Sequence, residues 1–148
     1  MYADWLANSV VVVATVGAVA GSVLLHYEGL IFTSRWLTRH RGHNRVKVLY
    51  AIGSLIALHV VEIWLFAVVL WLLLLVPGAG GMAGQGAPHF FDVVYLSAMT
   101  FTTVGDGGLA PTGAIRLLCG TEALTGFVLI AWSASFTYLE MERFWRNT

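Results

Sequence analysis

Three stretches of this chain, residues 8–32, 46–76 and 115–138, are long and apolar enough to decide what it can fold into. A helix needs about 20 mostly apolar residues to cross about 30 Å of hydrocarbon. Each stretch meets that requirement, so the sequence predicts three membrane spans and an all-α membrane protein. The composition agrees, because only 11% of the residues are charged, less than half of the roughly 25% usual in a soluble domain. Such a surface would leave large apolar patches in water, whereas lipid demands it.

The first stretch contains Ala18-Val19-Ala20, which has the small residues of a leader cleavage site. A leader begins with a positive region, yet Asp4 is the only charge before the apolar run and no Lys or Arg precedes Arg35. The expectation is a retained helix. Arg35, Arg39, Arg41, Arg45 and Lys47 fall between the first two spans, and Arg143 and Arg146 follow the third. Basic residues flank the cytoplasmic ends of spans, which predicts an external N-terminus, a cytoplasmic C-terminus and an external connection over residues 76–116. A net charge of zero points to no nucleic-acid partner. Cys119 reads as a small packing residue. No nucleophile–base pair, phosphate loop or cysteine cluster stands out, so the sequence does not suggest an enzyme.

The connection between the second and third spans carries the chemistry. A Gly-rich stretch, residues 77–86, reads as flexible. After Pro88 comes a short apolar run, Phe90 to Phe101, with Asp92 near its start, where an acidic side chain suits the positive end of a helix dipole. Twelve helical residues extend about 18 Å, too short to cross. This predicts a re-entrant helix, followed by irregular backbone that must be buried in protein or face water.

That backbone reads Thr102-Thr103-Val104-Gly105-Asp106-Gly107-Gly108-Leu109-Ala110-Pro111. A cation filter replaces an ion's hydration shell with backbone oxygens that all point at one axis. Pointing them one way requires alternating conformations, for which glycine is suited, and Gly105 and Gly107 are placed to supply them. The Thr103 hydroxyl can add an inner ring of oxygens. One chain offers too few carbonyls to surround an ion, which implies a symmetric ring of subunits. On the glycines alone, a plain turn is the better reading.

At these residues the chain resembles the potassium-channel pore-loop superfamily, whose signature is Thr-Thr-Val-Gly-Tyr-Gly-Asp followed by a proline. The likeness extends to Arg116 and Gly126, which match a basic residue and the hinge glycine of the family's inner helix, and it covers roughly residues 46–138. It implies a fourfold pore in which each chain joins three identical subunits in a lipid bilayer. Residues 1–45 would add an extra span and basic link to a pore unit over 46–148, together forming a single membrane domain. No cofactor is implied beyond the permeant K+ and Na+ ions. The chain departs from the potassium-selective pattern at Asp106, where Tyr is usual, and at Gly108, where Asp is usual. Thr103-Val104-Gly105-Asp106-Gly107 is instead similar to the filter of bacterial non-selective sodium–potassium channels, which implies a wider outer mouth and weak selectivity in a bacterial inner membrane. Asp106 could concentrate cations at that mouth or stiffen the loop by bonding to nearby backbone. The competing expectations are a potassium-selective channel and a non-conducting, channel-like subunit.

Several polar residues fall inside the spans. His59 and Glu62 share a helix face, and His26 with Glu28 reads as a second pair. The leading expectation for both is a hydrogen-bonded contact between spans. A proton-sensitive contact is the functional alternative, and a metal site lacks anything in the sequence to fix its geometry. Glu122, four residues before Gly126, faces either the short helix or the cavity. Gly126 reads as a gating hinge, with close packing as the alternative. Were Gly126 to face the axis, Ile130, Ser133, Ala134 and Thr137 would share its side. With about ten residues after the third span, no nucleotide- or calcium-binding gating domain is expected, and the first span lacks the Arg ladder of a voltage sensor.

Overall fold

The computed structural model describes residues 4–39, 44–84, 88–105 and 108–146. The chain forms three long helices, α1 (Trp5–Arg39), α2 (Asn44–Leu74) and α4 (Arg116–Arg146), and a short one, α3 (Phe90–Phe101). All three long helices are apolar and long enough to cross a membrane. α1 and α4 run past the C-terminal ends of their apolar stretches, while α2 begins and ends slightly before its own. Arg35 and Arg39 complete the last turns of α1, and Arg45 and Lys47 begin α2. These four charges therefore extend the helices, which costs little because Arg and Lys are good helix formers. Arg41 lies outside the described residues.

The buried face of α1 recurs every three to four residues through Val11, Thr15, Ala18, Ser22, His26 and Leu30. Several of these are small, and small residues let helix backbones approach where lipid offers no hydrophobic drive to association. Gly29 sits at one such approach, since a Cβ there would meet the Leu58 side chain of α2. α1 packs on both α2 and α4, and α3 is wedged between α2 and α4. Phe66, Leu70, Val93, Phe101, Leu118 and Leu129 belong to a core that also takes in Val11 and Ala18 of α1.

The Gly-rich stretch is more ordered than its composition suggests. Strand β1 (Gly80–Ala83) pairs antiparallel with β2 (Ala110–Gly113), with Gly80 opposite Gly113 and Met82 opposite Pro111. The pairing needs the glycines: a Cβ at Gly80 would run into the Thr112 carbonyl, and Gly113 takes φ 74° against the Gly80 backbone. The Thr112 hydroxyl donates to the Gly81 carbonyl at 3.0 Å. This two-stranded clasp ties the chain before α3 to the chain after the loop that follows it. At the start of α3, the Asp92 carboxylate accepts the His89 backbone N–H at 2.7 Å, which satisfies a donor that the helix end would otherwise leave open.

Candidate functional site

The loop after α3 is built from the helix end outward. Thr102 N–H donates to Ala98 O at 3.1 Å, Thr103 N–H to Thr100 O at 2.9 Å, and Gly105 N–H to Met99 O at 3.0 Å. Thr103 has φ 60° and Gly105 has φ 76°, so two left-handed residues flank Val104. Glycine is the residue suited to such conformations, yet Thr103 adopts one as well. A β-branched residue there is strained, and backbone strain of this kind leaves no composition signal. Residues 102–105 are exposed on the single chain, Val104 by 70%. Asp106 and Gly107, both expected filter residues, lie outside the described residues.

Beside this loop are two seams that bury carboxylates. In the first, both oxygens of Glu62 on α2 are bonded: His26 Nδ1 of α1 donates to Oε1 and His59 Nδ1 of α2 donates to Oε2, each at 2.8 Å. His26 and Glu62 are fully buried and His59 is 18% exposed. The two imidazoles stack with centroids 5.5 Å apart. Trp132 of α4 tilts against His26 at 5.2 Å, and Phe101, the last residue of α3, lies 5.8 Å from the His59 ring. On the far side of His26, Ser133 Oγ of α4 is 3.5 Å from Nε2. The expected pairing of His59 with Glu62 is present. That of His26 with Glu28 is not: Glu28 is exposed, because residues two apart on a helix point in nearly opposite directions, and His26 finds Glu62 instead.

In the second seam, Glu122 of α4 is fully buried and hydrogen-bonds the Ser97 hydroxyl of α3. Ser97 Oγ also lies 2.8 Å from the Ile63 carbonyl of α2, so one hydroxyl joins three helices. Glu122 Oε2 has no partner among the described residues. The two seams touch at neighbouring positions, Glu62 and Ile63. Gly126 belongs to the second seam, where it packs so tightly on Phe101 that a Cβ would overlap the Phe101 carbonyl. The row proposed to share its side divides: Ser133 is buried toward His26, whereas Ile130 and Ala134 are exposed. Ser97 is absent from the sequence expectations, and Ser133, expected beside Gly126, instead approaches His26. A lone hydroxyl in an apolar helix was the available signal, since such a group needs a buried partner.

A family model described as "Ion channel" matches residues 56–142, which run from α2 through α3 and its loop into the last turns of α4. The chain belongs to this ion-channel family. The matched segment omits α1, so the family accounts for the α2–α3–α4 unit and leaves the His26 side of the first seam outside it. The chain is also 33% identical over 67 residues to Protein LctB of Geobacillus stearothermophilus, an alignment covering 45% of this chain and 50% of that protein. The chain thus spans about half the length of this curated relative. No solved structure matches. The protein is a multi-pass, helical membrane protein of a channel family.

Proposed function

We propose that four copies of this chain form a channel for monovalent cations, with α3 as a re-entrant pore helix and Thr103-Val104-Gly105-Asp106-Gly107 as the filter. The observation that carries this reading is the loop at the end of α3. Two left-handed residues, Thr103 and Gly105, flank a valine that is 70% exposed on the single chain. An apolar side chain and a turned backbone are left uncovered at the end of a helix wedged between spans, where irregular backbone must be covered by protein or line water. A fourfold ring supplies both, and it multiplies the few carbonyls of one loop into a complete ion shell. The C-terminal end of α3 adds the negative end of a helix dipole, which favours a cation nearby.

Asp106 in place of an aromatic residue supports weak discrimination between K+ and Na+, through a mouth where ions keep part of their hydration. Basic residues at the α1–α2 junction and at the end of α4 support a cytoplasmic location for both, in a bacterial inner membrane with the N-terminus outside. Residues 46–148 would then be the pore unit and residues 1–45 its extra span. The test is cation flux from liposomes containing the purified protein, with wild type beside Gly105→Ala. Alanine at φ 76° is strained by about 1–2 kcal/mol, so the account expects robust wild-type flux and its loss in the variant with assembly intact. Equal flux from both proteins would contradict the filter assignment, and no flux from either would favour a non-conducting subunit.

A further inference from the structure

The first seam has the makings of a ligand site that channel activity does not require. His26, His59 and Glu62 each offer a ligand atom, and these atoms lie within 4.8 Å of one another. We propose that these three side chains bind one divalent transition-metal ion of the zinc class, which fastens α1 to α2 beside the base of the loop.

The donor set fits that class of ion. Two imidazole nitrogens with one carboxylate suit zinc and its neighbours, whereas calcium and magnesium require oxygen shells. The ligand atoms of a tetrahedral zinc site stand about 3.3 Å apart, given metal–ligand distances near 2.0–2.1 Å. No two of the present ligand atoms are more than 4.8 Å apart. The two 2.8 Å Nδ1–carboxylate contacts would open to the tetrahedral spacing as the metal replaces the ring protons, each neutral imidazole then carrying its proton on Nε2. His59 and Glu62, three residues apart on α2, converge because that spacing shares a face, and α1 brings the third ligand across the seam.

Charge gives the site a reason to take a cation. With both imidazoles neutral, Glu62 leaves a full negative charge at a position with no exposed surface. A charge buried in a membrane helix costs several kcal/mol unless it is paired. A divalent ion would compensate it. The surroundings also suit metal binding. Ser133 Oγ stands 3.5 Å from His26 Nε2, where it can accept the N–H of a ring that ligates through Nδ1. Such partners fix the orientation of ligating histidines. Trp132 packs against the His26 ring and Phe101 against the His59 ring, and His59 keeps a partly exposed edge on the single chain.

The test uses the purified full-length protein in detergent, stripped of metal and titrated with Co(II). The expected result is one cobalt per chain, with visible absorption typical of four- or five-coordinate cobalt that is displaced by Zn(II). The bands disappear in His59→Ala and in Glu62→Gln but persist in His89→Ala, a histidine outside the seam. Ser133→Ala keeps every ligand, so it retains the stoichiometry while binding about 10-fold or more weakly. Because it leaves the ligands in place, it remains informative if His59→Ala fails to assemble. Absence of absorption at stoichiometric cobalt in the wild type would overturn the proposal. So would bands that survive the paired His26→Ala and His59→Ala substitutions, since the metal would then be held elsewhere. The readout is independent of conduction, so it stands apart from the outcome of the flux measurement.

Discussion

The two seams bury a carboxylate each and solve the same problem differently. In the α1–α2 seam, both oxygens of Glu62 are met by imidazole nitrogens, each at 2.8 Å. In the α3–α4 seam, Glu122 has one serine hydroxyl, itself shared with the Ile63 carbonyl, and one oxygen with no partner among the described residues. Their glycines differ as well. Gly29 presses on the flexible end of Leu58, and Gly126 presses on the backbone carbonyl of Phe101. The seam beside the loop is therefore tight in its backbone and sparing in its polar contacts. The seam to α1 is adaptable in packing, and its carboxylate is bonded at both oxygens. α1, outside the family segment, adds a doubly bonded carboxylate to its packing on α2 and α4, whereas the contact of α4 with α3 rests more on close fit.

The largest effect that would sharpen this contrast is at the glycines. Gly126→Ala puts a methyl group into a carbonyl that cannot move aside, so it should destabilise the assembled protein by about 3 kcal/mol or more, at the upper end for overpacking. Gly29→Ala should cost about 1 kcal/mol, because Leu58 can change rotamer. Thermal unfolding in detergent reads both, and equal losses would break the comparison. Next in size is His26→Ala, which strips one oxygen of Glu62 of its partner. A lost hydrogen bond to a charged group predicts about 2–3 kcal/mol by the same measurement.

Glu122→Gln should be milder, within about 1 kcal/mol. The amide can donate to Ser97 Oγ and release the serine proton for the Ile63 carbonyl, so the shared hydroxyl is no longer asked to serve two acceptors. A cost matching that of His26→Ala would show that Glu122 is as fully engaged as Glu62. The smallest effect is expected at Glu28, which is exposed: Glu28→Gln should stay within about 0.5 kcal/mol of wild type. A larger loss would return Glu28 to the polar cluster.

What could be read from the sequence follows the range of the interactions involved. The bounds of α3 were legible because Pro88, Asp92 and the following Thr-rich loop punctuate a short apolar run. The three spans were legible as apolar stretches. Their full lengths were not, since Arg35 and Arg39 end the apolar signal without ending the helix. The i, i+3 spacing of His59 and Glu62 placed them on one face, but nothing local says that His26 of another helix closes on the same carboxylate. The β1–β2 clasp was missed for the same reason. Glycine-rich sequence looks flexible until its distant partner, residues 110–113, is brought alongside. Gly126 likewise could be a hinge or a close contact on sequence alone, and only the position of Phe101 reveals the contact.

The central claim, a filter through which monovalent cations pass with little discrimination, is tested most directly by the reversal potential of the purified protein in a planar bilayer, with potassium on one side and sodium on the other. The account predicts clear currents that reverse near zero. Currents reversing far toward the potassium equilibrium potential would contradict it, and would mean that the filter stays selective despite Asp106.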